Sequence, residues 1–154
     1  MPAKKLKQFL DANNVKYVSI KHSPAFTAQE VAHSAHIPGR DLAKTVIVKI
    51  GDQLAMAVLP AKYLVDLDLI RETTGSDNVE LASEKEFKNV FPDCEIGAMP
   101  PFGNLYDMPV YVAEALRKEK EIAFNAGSHS ELIKLAYEDF ERLVKPIIIR
   151  LSLV

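Results

Sequence analysis

The chain has 154 residues, of which 48% are hydrophobic and 26% charged, proportions that exclude disordered and fibrous classes. A chain of this length is expected to form one domain over residues 1–154, burying roughly 68–70% of the surface its unfolded form exposes. Its formal charge of -2 and pI of about 6.1 exclude a long basic track, so any nucleic acid it handles is touched over a small area.

Along the chain, Leu6, Phe9 and Leu10 predict a helix from Ala3 to Asn13. Lys4, Lys5 and Lys7 are followed by Gln8, Asp11, Asn13 and Asn14 rather than by an apolar run, so no secretory leader is expected. Val15, Tyr17, Val18 and Ile20 predict a strand. Thr27 and Glu30 form a capping box for a short helix from about Ala28 to Ala35. The strongest signal is Thr45–Ile50, the Gly51-Asp52 turn, and Gln53–Leu59. It predicts a hairpin in mid-sheet, since both faces are apolar. Asp66–Thr74 is expected to be helical and stopped by Gly75. Ser83 and Glu86 form another capping box ahead of Phe87, Val90 and Phe91. Pro109–Ala113, Glu121–Asn125 and Leu132–Tyr137 predict strands, and Asp139 is expected to cap a helix running to Val144.

The tail, 146–154, is apolar but interrupted by Arg150 and Ser152. It is far short of the ~20 residues that span a bilayer, so it reads as a last strand or a docked tail, with no membrane contact. The single cysteine, Cys94, excludes an internal disulfide and no CxxC exists for a metal, so a cytoplasmic location is expected. Hairpins mixed with helices, without regular βαβ alternation, predict an α+β domain on a mixed or antiparallel sheet.

No GxxxxGK[ST], GxGxxG, HExxH or GxSxG motif is present, which removes the usual support for nucleotide, dinucleotide, zinc-protease and serine-esterase chemistry. Three places could carry chemistry. Lys44 enters the apolar strand where the chain passes from solvent to core. Its ammonium either holds an anionic or carbonyl oxygen at a pocket rim or snorkels into water. The stretch from Glu95 through Gly97, Ala98, Met99, Pro100, Pro101 and Phe102 to Gly103 is stiffened by proline. It either walls a small pocket or simply connects two elements. The turn Asn125-Ala126-Gly127-Ser128-His129-Ser130 either offers backbone amides to an anion or caps the next strand. Ser128 and His129 are sequence neighbours, so their side chains need not meet as a nucleophile pair. His33 and His36 lack a third ligand for zinc, His22 reads as a surface turn or a pocket edge, and Cys94 as a small buried hydrophobe.

Taken in order, four strings resemble the YbaK and prolyl-tRNA-synthetase-associated editing domain family, whose members include free-standing deacylases of mischarged tRNA. The strings are His22–Ala32, Leu42–Pro60, Glu95–Gly103 and Phe124–Pro146. The resemblance implies a curved, barrel-like sheet flanked by helices. It places the family's lysine at Lys44, its GxxxP loop at Gly97 and Pro101, and its late turn at Gly127 and Ser128, with His129 alongside. These residues, with His22, Thr45, Ala98, Met99 and Pro100, would line a site for the aminoacyl group and terminal adenosine of a tRNA 3′ end. The implied function is a trans-acting aminoacyl-tRNA deacylase for a small amino acid such as Ala, Cys or Ser, needing no metal or cofactor. The alternatives are a non-catalytic module that binds the tRNA acceptor end or a synthetase, and a hydrolase of small-molecule esters. Lys4, Lys5, Lys7, Lys16, Lys21 and Arg40 are candidates for a local basic patch.

Overall fold

The computed structural model describes residues 3–22 and 37–152. The expected Thr27–Glu30 capping box, the helix after it, and His33 and His36 lie outside the described residues. Helix α1 (Lys4–Ala12) buries Leu6 and Leu10 and leads into β1 (Tyr17–Lys21). β2 (Ala43–Ile50) and β3 (Gln53–Pro60) form the predicted hairpin around Gly51, whose φ of +62° suits glycine. α2 (Leu67–Thr74) starts as expected, with the Asp66 carboxylate accepting from the amides of Asp68 and Leu69. It ends at Gly75 in the left-handed conformation.

β4 (Val79–Leu81) follows, then α3 (Glu84–Phe87), which carries the expected Ser83–Glu86 capping box but is a single turn. β5 (Val110–Ala113) runs directly into a one-turn α4 (Glu114–Arg117), which the sequence pattern did not predict. β6 (Glu121–Asn125) and β7 (Glu131–Ala136) form a second hairpin. α5 (Tyr137–Val144) begins three residues earlier than expected: Ala136, not Asp139, is the N-cap, and Asp139 sits inside the first turn, paired with Arg142. The apolar tail forms β8 (Ile147–Ile149), and Ile149 and Leu151 are buried.

The strands make a three-stranded antiparallel sheet, β1-β7-β6, and a five-stranded mixed sheet, β4-β2-β3-β5-β8. The α+β class is as expected. The single barrel-like sheet is instead two sheets, not closed into a barrel, joined between β2 and β6 by one parallel bridge, Leu42 to Ala123. The hairpin lies in mid-sheet, as its two apolar faces require. Ala43, Thr45 and Ile47 stand across from Pro60, Val58 and Met56 on one face, while Lys44, Val46 and Val48 stand across from Leu59, Ala57 and Ala55 on the other.

The first face packs on the main core, where Phe102 lies 5.6 Å from both Phe124 and Phe140 by ring centroids. Each such buried aromatic contributes about 1.5–3 kcal/mol over leaving it exposed. The second face packs on Ile70, Val79, Ile149 and Leu151. A third, smaller cluster joins Leu42 to Ala123, Leu132 and Ile37 at the seam between the sheets.

Gly103 closes the proline-rich loop against the core. A methyl group there would come 2.3 Å from the Met108 carbonyl oxygen and 2.6 Å from Val110 Cγ2. Gly103→Ala is therefore expected to destabilise the fold by roughly 1–3 kcal/mol, read as a lower midpoint in urea unfolding. An unchanged midpoint would show that the loop can move off β5.

Candidate functional site

The proline-rich loop and the late turn are spliced together by their main chains. The Glu95 amide donates to the Gly127 carbonyl at 2.8 Å, the Gly127 amide donates to the Ala98 carbonyl at 2.8 Å, and the Ala98 amide returns to the Glu95 carbonyl at 3.1 Å. Gly97 and Gly127 have φ of +85° and +93°, so both turns use a conformation that side chains resist. The His129 ring lies over Gly97, and Nε2 is 2.8 Å from the Ile96 carbonyl oxygen. A carbonyl can only accept, so this contact places a proton on Nε2. The Glu95 carboxylate accepts from the His129 amide at 3.2 Å. The amide of His22 donates to the Ser130 carbonyl at 2.9 Å, which draws the end of β1 to the same turn.

Lys44 is the second residue of β2 and half-buried. Among the described residues no hydrogen bond or opposite charge holds its ammonium, and desolvation alone pulls its pKa below the usual lysine value. Its position follows from the seam. Leu42 and Ala123 are bridged in parallel and pack in one cluster, and by strand alternation Lys44 and Asn125, each two residues further on, point to the side of their strands that this cluster marks. Asn125 is the last residue of β6 and leads into the Gly127 turn. Lys44 and the turn therefore both follow the bridge in the same chain direction.

The other expected residues divide. Ala98, Met99, Pro100 and Pro101 are buried, and Met99 belongs to the main core. Gly97 is exposed, while Ser128 and His129 are partly open. Thr45 alternates onto the face opposite Lys44, beside Ala43 and Ile47, where its hydroxyl is buried with no partner among the described residues. The turn does not form an open nest of amides. Those of Ala98, Gly127, His129 and Ser130 already donate within the loop and turn, and Pro100 and Pro101 have none. The amides of Gly97, Met99 and Ser128 have no acceptor among the described residues.

The expected basic patch is partly spent on the scaffold. Lys7 pairs with Glu131 at 2.7 Å, Arg40 lies between Asp41 and Glu119, and Lys5 donates to the Leu105 carbonyl and covers the Tyr106 ring. Burial of the Glu131 carboxyl opposes its charge, but the hydrogen bonds from Lys7 and Ser19 hold its pKa below the ordinary range. Cys94 is half-buried and 3.7 Å from the Tyr106 hydroxyl, and burial raises the thiol's pKa, the reverse of a reactive cysteine.

Two side chains at the site carried no expectation of their own, Glu95 and Asn125. A polar residue closing the apolar run Ile122-Ala123-Phe124 was the available signal for Asn125. An open depression of about 620 Å³ beside Tyr63, Asp66, Arg71 and Ser152 includes none of these residues. Asp66 there is committed to capping α2, and Arg71 to the Val79 carbonyl. Among the described residues no three potential metal ligands cluster, and no helix is long and apolar enough to cross a membrane.

Two spliced glycine turns and a half-buried lysine at the start of β2, on a mixed α+β scaffold of two sheets, are the features of an editing-type domain. Residues 22–143 match the aminoacyl-tRNA editing domain family, and the chain belongs to that family. It is 27% identical over 143 residues to the prolyl-tRNA editing protein ProX of Acetoanaerobium sticklandii, covering 88% of this chain and 86% of that protein. It is 32% identical over 110 residues to the multifunctional Ser/Thr-tRNA deacylase ProXp-y of Escherichia coli K12, covering 68% of this chain and 65% of that protein. A crystal structure of a candidate trans-editing enzyme for prolyl-tRNA synthetase superposes with a TM-score of 0.84 at 19% identity, covering 98% of this chain and 96% of that chain. That likeness concerns the fold.

The desolvated Lys44 makes a stability prediction. Its folded pKa lies below the unfolded value, so between the two the unfolded chain binds more protons, and stability from this group rises with pH across that window. Below the window the buried charge costs stability. Lys44→Met is expected to melt no lower than the wild type at neutral pH and to lose the alkaline gain. A variant that melts clearly lower would mean that the ammonium holds the fold together.

Proposed function

We propose that this chain is a trans-acting hydrolase of mischarged aminoacyl-tRNA, with a small amino acid as the one removed. The observation that carries the reading is the half-buried Lys44 ammonium, which has no hydrogen bond or ion pair among the described residues. A charge held out of water at a cost to the fold, with nothing among the described residues to balance it, suits an oxygen that arrives with a ligand. Family membership supports the substrate class, and so do the names of ProX and ProXp-y. Serine is common to the small-residue expectation and to the name of the Escherichia coli relative, so seryl-tRNA is the first substrate to try.

An aminoacyl ester is already activated, so the protein need only orient it and stabilise the oxyanion. Lys44 faces the ester carbonyl, and the amides of Gly97 and Ser128 are the donors left over from the splice. Water adds to the carbonyl carbon, the bond to the ribose oxygen breaks, and that oxygen leaves with a proton from the attacking water. Ser128 and His129 then act as parts of the turn rather than as a nucleophile and base. The His129 ring, with Nε2 turned to the Ile96 carbonyl, supports that assignment. Residues 1–154 act as one editing domain in the cytoplasm, on the 3′ acceptor end of tRNA.

The test is a deacylation panel of charged tRNAs with the wild type and Lys44→Ala. Wild type should clear at least one small mischarged residue. Lys44→Ala should fall by about 10²–10³-fold or more while keeping its melting temperature. Wild-type protein inactive on the whole panel would defeat the enzyme reading. Acceptor-end binding without turnover, indifferent to Lys44→Ala, would mark a binding module instead.

A further inference from the structure

The carboxamide of Asn125 has no part in the scheme above, yet it lies at the same end of the seam. Its Oδ1 is fully buried and accepts no hydrogen bond among the described residues. Its cross-strand partner is Leu132, in the cluster that also holds Leu42 and Ala123. Asn125 follows Ala123 by two residues as Lys44 follows Leu42, so alternation from the parallel Leu42–Ala123 bridge turns both toward the side that this cluster marks. A buried carbonyl oxygen without a donor is costly, and an apolar side chain of the same size would remove the cost. The Lys44 ammonium, the nearest donor by register, does not satisfy it.

We propose that Asn125 is a substrate-recognition residue whose Oδ1 accepts a hydrogen bond from the α-amino group of the aminoacyl ester, beside the carbonyl that Lys44 faces. This rests on the editing reading and names the group that the site reads. Lys44 and the open amides can only donate, so they suit the carbonyl oxygen. The amino group is attached one carbon away from that carbonyl and needs an acceptor next to Lys44. The acceptor must also be neutral, since a carboxylate there would pair with Lys44 and quench the charge meant for the ester. An asparagine meets both requirements.

The test uses the full chain and the aminoacyl-tRNA it clears fastest, prepared with a free or an N-acetylated amino group. Wild type should prefer the free amine by roughly tenfold or more. Asn125→Leu and Asn125→Ala should lose roughly 10- to 100-fold in kcat/KM on the free amine, the usual cost of a hydrogen bond to a charged group. Both should leave the N-acetylated substrate unchanged, and Asn125→Leu should melt no lower than the wild type. Equal wild-type rates on the two substrates would overturn the inference without any variant, as would equal losses on both substrates in the variants. Losses that vanish when the terminal 2′-hydroxyl is replaced by fluorine would assign Oδ1 to the ribose and overturn it too. A wild type that clears no aminoacyl-tRNA would instead defeat the editing reading, and this inference with it.

Discussion

The backbone bridge between Leu42 and Ala123 is the contact on which the site depends. Lys44 and the Gly127 turn belong to different sheets. β2 belongs to the five-stranded sheet and the turn to the three-stranded one. The bridge fixes the parallel register of β2 and β6, and because side chains alternate along a strand, it fixes which of them share a face. A slip of one residue would put Thr45 rather than Lys44 beside Asn125 and bury the ammonium in the aromatic core. The small cluster of Leu42, Ala123, Leu132 and Ile37 holds that register by burying apolar side chains on the very face the site uses.

The splice between loop and turn does a different job. Its main-chain hydrogen bonds leave few amides unengaged, and the buried Pro100 and Pro101 have none to leave. What remains open is a short set of donors on a backbone that cannot easily rearrange. Donors that do not have to be reoriented when charge develops on an oxyanion stabilise it more effectively than mobile ones. Glu95 adds to this by tying its carboxylate to the His129 amide, which holds the imidazole against Gly97. The glycines are needed for geometry at both turns, where φ is positive, and the His129 ring lies in ordinary contact over Gly97.

Much of this was legible in the sequence. The hairpin from Thr45 to Leu59, the Asp66 and Gly75 boundaries of α2 and the Ser83–Glu86 box all rest on local signals, and all are present. Local signals misled where a neighbouring element decides the outcome. Asp139 resembles a cap, but β7 ends at Ala136 and its chain turns straight into helix there. β4 is three residues long and exists through its pairing with β2, which no periodicity announces. At the site, the residue types at Lys44, Gly97 and Gly127 were readable as chemistry. The main-chain splice of the Gly97 and Gly127 turns was not, because it comes from long-range hydrogen bonds. The amide nest looked open because sequence shows donors and not the acceptors that take them.

Charge follows the same logic. A chain of net charge -2 that handles nucleic acid must place its positive field where it matters. Several surface cations here are neutralised locally: Lys7 by Glu131, Lys49 by Glu86, Arg117 by Glu141 and Arg142 by Asp139. Exposed pairs of this kind add little stability and are screened by salt. Their effect is to flatten the long-range field, so that docking is not driven by phosphate contacts spread over the surface. Among the described residues Lys44 has no such partner, and it is half out of water, where the same unit charge acts through a lower dielectric. The balance of the composition and the isolation of Lys44 among the described residues belong together: the surface cations are matched by nearby carboxylates, and the half-buried ammonium stands apart from them.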